Sequence, residues 1–236
     1  MTTCAAATET ERHGWDGSTV DDRPCNGRAM SDPHQTTFPP GFFSRQDESD
    51  DQRFYAFDRF VTHIDDGAIA AVGELYDELG LTGEVLDICS SWISHFRTKP
   101  DRLAITGMNA AELAANEMAD SSVVADLNTD PTLPFDDDEF DAVTCCVSVD
   151  YLTRPLDVFT EVRRVLRPDG LFVCTFSNRC FPTKAIRGWL STDDRGRCQI
   201  VATYFDLTDG FGEPTIERRD PQRRGDPLYA VYAGGD

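Results

Sequence analysis

At 236 residues and 40% hydrophobic content the chain is long enough for one domain with a real core, which excludes disorder throughout. Forty-two acids against 22 bases give a formal net charge of −20, built from 30 Asp and 12 Glu against 20 Arg and two Lys, Lys99 and Lys184. A charge of that sign and size excludes non-specific attachment to nucleic acid or to an anionic membrane, since both need basic patches.

Asp excess with Lys depletion is expected of a halophilic, acidic protein. In molar salt the Debye length falls to about 3 Å and the self-repulsion largely disappears. The eight cysteines are scattered without a C-x-x-C pair, and positions 89, 145 and 174 fall in apolar strand patterns. With no signal peptide and no apolar run near the length of a membrane helix, the expectation is a soluble protein of the reducing cytoplasm.

In chain order, residues 1–37 read as a disordered tail, rich in Thr, Asp, Gly and Pro and without periodicity. Met30, just before the composition changes, is an alternative start. Residues 38–236 form the domain, with 38–82 as a lid and helix segment and 83–236 as the sheet core. Phe38 to Arg53 is loop punctuation with exposed aromatics, followed by a run able to cap a helix. Tyr55 to Asp65 is aromatic-dense and carries His63. Ile64 to Leu79 has helical apolar spacing, and Gly80 and Gly83 bracket the turn that follows.

From there strands and helices alternate. Strands are predicted at 85–89, 102–107, 122–125, 140–147 and 170–176. Helices are predicted at 92–97, 110–118 and 155–166, the last opened by Pro155 and followed by the turn Arg167-Pro-Asp-Gly170. Residues 200–206 and 228–233 read as two late strands forming an antiparallel hairpin around Phe211-Gly-Glu-Pro214. The fold class this implies is α/β: a doubly wound, mostly parallel seven-strand sheet with helices on both faces.

Three strand ends carry polar residues at spacings that suit a nucleoside. Asp87 lies near the end of the first, Asn109 at the end of the second, and Asp126 at the end of the third. A polar residue about 20 positions past the first loop is where a ribose hydroxyl is gripped, and an acid at the third strand end can accept a bond from an adenine amino group. Singly, each is an ordinary polar loop residue; their joint register with the strands points to a site. No metal-ligand spacing, nucleophile elbow or phosphate loop is present.

Leu133-Pro-Phe-Asp-Asp-Asp-Glu-Phe-Asp141, Val147-Ser-Val-Asp-Tyr-Leu152 and Glu161-Val-Arg-Arg-Val-Leu-Arg-Pro-Asp-Gly170 follow. In these motifs the chain resembles the class I S-adenosylmethionine-dependent methyltransferases, the type 11-like small enzymes, over about residues 83 to 176. The stretch from Phe42 is also similar to a narrower branch with Phe42-Phe-Ser-Arg45, Arg59-Phe-Val-Thr-His-Ile-Asp-Asp66, Ser90-Ser-Trp92 and Phe176-Ser-Asn-Arg179. The resemblance implies a Rossmann-like methyltransferase fold, S-adenosyl-L-methionine as cofactor, and a small-molecule acceptor.

Carried across position by position, the resemblance implies that Asp87 helps place the methionine amino group. It puts Ser90, Ser91 and Trp92 in the cofactor loop, Met108 and Asn109 at the ribose position, Asp126 and Leu127 against adenine, and Val147 and Ser148 beside the methyl group. Two departures stand out. Serines and a tryptophan occupy the loop where the family has Gly-x-Gly, whose absent side chains let the backbone approach the ligand. Asn109 replaces an acid and so exchanges charge-assisted hydrogen bonds for neutral ones.

On the substrate side, His63 and Asp65 are the candidate catalytic bases, needed only if the acceptor loses a proton; a structural or helix-capping role is the alternative for His63. Tyr55, Arg59, Asn178 and Arg179 are weaker substrate candidates, with Arg179 either binding an acidic substrate group or pairing with a surface acid. His95 is a further, weaker candidate. A non-catalytic relative that binds a nucleoside or a protein partner is the competing reading. An NAD-dependent oxidoreductase is disfavoured by the missing Gly-rich fingerprint.

Overall fold

The computed structural model describes residues 37–219 and 225–236. The expected tail, with Met30, lies outside the described residues except at Thr37. Strands Glu84–Ile88 (β1), Arg102–Gly107 (β2), Ser121–Val124 (β3), Phe140–Cys146 (β4) and Leu166–Phe176 (β5) run parallel, each paired with its neighbour in the order β3-β2-β1-β4-β5. Thr215–Arg218 (β6) and Tyr229–Gly234 (β7) complete the seven-strand sheet as an antiparallel hairpin, with β7 against β5 and β6 at the edge. The sheet is therefore mixed, parallel through β5 and antiparallel at one end.

Helices cover the sheet because its strands are apolar on both faces. Val85, Leu103, Ile105, Ala142 and Val173 pack with Asp66–Glu78 (α2) on one side. Leu86, Ile88, Val143, Cys145, Phe172 and Cys174 pack with Pro155–Val165 (α4) and Asp194–Asp206 (α6) on the other. Short helices Asp51–Phe54 (α1), Ala110–Ala114 (α3) and Arg187–Leu190 (α5) fill the connections. Strand order reverses between β1 and β4, which makes their carboxyl ends the natural ligand crevice. No helix among the described residues is long and apolar enough to cross a membrane, and the described cysteines are all free.

Several sequence expectations are corrected here. Residues 200–206 are helical: Cys198, Val201, Ala202 and Phe205 form one buried face of α6, which Asp193 caps by accepting from the Gly196 N–H. A short β-branched and aromatic run does not distinguish a strand from a buried helix, and the strand that pairs with β7 is Thr215–Arg218 instead. Residues 92–97 are not helical: Ser90 to His95 line the cleft and Phe96 packs into the core against Tyr76. The predicted helix 110–118 ends at Ala114. Arg167 to Gly170 belongs to β5 as a bulge, since Phe140 faces Leu166 while Ala142 already faces Leu171.

Candidate active site

The carboxyl ends of β1 to β4 open on one cleft, and every residue expected to hold the cofactor lines it: Asp87, Ser90, Ser91 and Trp92 after β1, Met108 and Asn109 after β2, Asp126 and Leu127 after β3, Val147 and Ser148 after β4. Tyr55, Arg59 and His63 line the facing side, with Tyr151 and Phe181.

Asp87 is buried and accepts three hydroxyl donors: Ser90 Oγ at 2.6 Å, Ser94 Oγ at 2.9 Å and Thr144 Oγ1 at 2.7 Å. Burial pushes its pKa up, and the hydroxyls oppose that. Two of the three serines around the missing glycine loop thus hold the strand-end acid.

The loop keeps a glycine-like path without glycine. Cys89 sits at φ 54° and Val147 at φ 48°, both left-handed, at the ends of β1 and β4. Such conformations cost an ordinary residue about 1–3 kcal/mol and cluster at functional sites. The glycine that the close approach does require is on the neighbouring strand: a Cβ on Gly107 would overlap the Ser90 carbonyl oxygen. The Ser90 N–H donates to Thr106 O at 2.6 Å, binding the loop to β2.

Asn109 lines the cleft but its hydrogen-bonding capacity is taken. Its Oδ1 accepts from the N–H groups of Ala111 and Glu112 as the cap of α3, and its Nδ2 donates to Tyr55 O at 3.1 Å and Asp58 Oδ1 at 3.0 Å. Two lone pairs and two protons are the whole inventory of a side-chain amide, so Asn109 ties the Tyr55–Asp58 segment to α3 and has no free group left to offer. Asp126 accepts from Asn128 N, Thr129 N and Thr129 Oγ1, which leaves one acceptor position.

The segment after α1 is latched over this end of the cleft. Buried Glu112 takes the Arg59 N–H on one carboxylate oxygen at 2.6 Å and Ser91 Oγ on the other at 2.5 Å. Trp92 Nε1 donates to Val61 O at 3.1 Å. Asn109 followed three residues later by Glu112 has the spacing of a capping box, a signal in the sequence, yet the carboxylate reaches across to the lid and the loop.

His63 packs edge-on against Phe181, with ring centroids 5.3 Å apart. Its pKa is lowered: burial is the largest cause, the Glu112 carboxylate opposes it, and the Arg59 charge adds a smaller lowering. His95 lines the same cleft. Burial and the neighbouring His63 push its pKa down to about 4, and its buried Nδ1 has no partner among the described residues.

Three expected site residues are not in the cleft. Asp65 caps α2 by accepting from the Ala68 N–H and exchanges hydrogen bonds with Asp226, so its carboxylate is held by backbone donors outside the cleft lining. Arg179 is exposed and pairs with Asp226 at 2.9 Å, the surface alternative. Asn178 is exposed beside it. Lys184 and Trp189 are buried outside the cleft lining.

Lys184, expected from the sequence to shape the pocket wall, is instead fully buried. Its Nζ lies 3.0 Å from Asp51 Oδ1 and 3.2 Å from Asp47 Oδ2 and donates to Ser49 O at 2.7 Å. Asp51 also accepts from Arg45 and from Asn128 Nδ2. This ionic knot anchors α1, from which the cleft-lining segment Tyr55–His63 departs.

Comparison with known proteins agrees with the architecture. Residues 87–174 match the family described as a methyltransferase domain. Over 73 residues the chain is 37% identical to a demethylmenaquinone methyltransferase of Clavibacter sepedonicus, a stretch covering 30% of this chain and 30% of that protein. In structure, a SAM-dependent methyltransferase from Aquifex aeolicus aligns with a TM-score of 0.52 at 13% identity, covering 72% of this chain and 92% of that one. A geranyl diphosphate C-methyltransferase from Streptomyces coelicolor, crystallised with geranyl diphosphate and S-adenosyl-L-homocysteine, aligns with a TM-score of 0.52 at 16% identity, covering 78% and 97%. At these identities the structural likeness is one of fold.

Proposed function

We propose that this chain, whose residues 87–174 match a methyltransferase domain family, transfers a methyl group from S-adenosyl-L-methionine to a small-molecule acceptor. The observation that carries this reading is the convergence of the four strand-end motifs on one cleft at the point where strand order reverses.

The donor set suits the cofactor. The backbone of Cys89 to Trp92, held close to β2 at Gly107, and the hydroxyl-bound Asp87 would receive the amino-acid end. Met108 and Leu127 would flank the base, and the free acceptor position of Asp126 suits an amino group. The ribose must be held other than by Asn109, whose amide is saturated. S-adenosylmethionine would supply a methyl group on a sulfonium, which an acceptor lone pair could take up with the carbon–sulfur pair returning to sulfur. For this chain the task is then mainly positioning. His63, on the acceptor side with its pKa lowered by burial, takes the acceptor's proton where one is lost.

The test is calorimetric titration of the full chain with S-adenosylhomocysteine, alone and after Asp87→Ala. Binding that the substitution weakens is expected. Absence of binding at high protein concentration would favour the competing, non-catalytic reading, which draws on the saturated Asn109 and the substituted glycine loop.

A further inference from the structure

We propose that the acceptor carries an oxyanion, a carboxylate or a phosphate, and that Arg59 selects it. This inference rests on the methyltransferase reading and adds the chemical class of the second substrate.

Arg59 is the one Lys or Arg side chain lining the cleft among the described residues. Its guanidinium lies 4.5 Å from the Phe54 ring centroid and 5.8 Å from those of Tyr55 and Phe181. It donates to two carbonyls of its own loop, Phe54 O at 2.6 Å and Phe57 O at 3.2 Å. A guanidinium has five N–H donors in a planar fork, so donors remain. No carboxylate among the described residues pairs with it.

The cleft acids, by contrast, all have internal donors. Asp51 has Arg45, Asn128 and Lys184; Asp87 has three hydroxyls; Glu112 has the Arg59 N–H and Ser91; Asp126 has its own turn. Beside His63, where the Glu112 carboxylate is also felt, the Arg59 guanidinium is the one cation lining the cleft among the described residues, and its free donors are the ones able to meet an anionic group.

An aromatic cage of this kind would otherwise suit a cationic ligand, but here the chain's own guanidinium occupies it. A positive acceptor would meet both that charge and the sulfonium. Arg is also the residue whose fork matches carboxylate and phosphate oxygens. In a chain of net charge −20, general electrostatics repels anions, so admitting one requires a local cation.

The experiment titrates benzoate, phenyl phosphate and the neutral isostere benzamide into the full chain saturated with S-adenosylhomocysteine. It is repeated with Arg59→Gln and Arg59→Lys, with thermal melts to verify folding. The native chain should bind benzoate or phenyl phosphate about ten- to a hundredfold more tightly than benzamide, the range for a hydrogen bond to a charged group; which of the two wins tells carboxylate from phosphate. Arg59→Gln should erase the preference with S-adenosylhomocysteine affinity unchanged, and Arg59→Lys should keep part of it. Benzamide binding as well as benzoate in the native chain overturns the proposal, a result that stands even if Arg59→Gln fails to fold. Loss of S-adenosylhomocysteine binding in a folded Arg59→Gln also overturns it, by assigning the guanidinium to the cofactor. If the native chain does not bind S-adenosylhomocysteine at all, it is the methyltransferase reading that falls.

Discussion

Replacing Lys184 with Met tests whether the buried knot holds the lid in place. Met keeps most of the stem's volume, so no large cavity opens, and what disappears is the charge. Asp51, 5% exposed, loses one of its two cationic partners, and Ser49 O loses its donor. Removing one member of a buried ion pair typically costs about 3–5 kcal/mol. Arg45 and Asn128 remain on Asp51, which places the expected loss at the lower end, about 3 kcal/mol. For a domain of this size that is a fall of roughly 6–12 °C in Tm. Burial raises the Asp51 pKa, but the bonds from Arg45, Asn128 and Lys184 outweigh it and leave the carboxyl below its ordinary value. Its contribution to stability is therefore present above the unfolded carboxylate value and lost as pH falls through the folded one. With Lys184 gone, that loss should begin at higher pH. Denaturant melts across an acid pH series measure both effects. A change under about 1 kcal/mol, as for an exposed pair, with the acid limb unmoved, would refute the reasoning.

Two further outcomes follow from the cleft. Asn109→Asp restores the residue type the resemblance led one to expect at the ribose position, yet it removes the two donors to Tyr55 O and Asp58 and opposes two carboxylates. Stability should fall by about 1–2 kcal/mol and the lid should become more susceptible to proteolysis; tighter S-adenosylhomocysteine binding instead would contradict the saturated-amide account. If His63 is the base, turnover should rise with pH through a midpoint below the ordinary histidine value of 6.5 and stay flat above it, because only the neutral ring accepts a proton. His63→Ala should remove that limb, whereas Asp65→Ala should lower Tm and leave the pH profile of turnover intact.

What could be read from the sequence was whatever local pattern encodes. The five parallel strands announced themselves as short apolar runs ended by Asp87, Asn109 and Asp126, and α2 and α4 by their helical spacing. Those same runs failed where pattern is ambiguous: Ile200 to Phe205 carries β-formers inside a helix whose start at Asp194 lies outside the run. At the site, residue type located the cleft but not the use of each side chain. Asp65 was in the right segment, but its carboxylate turns to the helix it caps. Asn109 was at the right strand end, but its amide is committed to backbone and lid. Glu112 and Lys184 act through partners 21 to 137 residues away in sequence, and no window of the sequence contains such pairs.

Glu112 has a kinetic consequence. One carboxylate closes both the lid, through the Arg59 N–H, and the cofactor loop, through Ser91. Raising the lid strips a buried acid of one donor, and disturbing the loop strips it of the other, so each motion makes the remaining bond more valuable. If the cleft holds a cofactor and an acceptor as proposed, entry of one and exchange of the other would both act on the bonds of Glu112, and each would alter the residence time of the other.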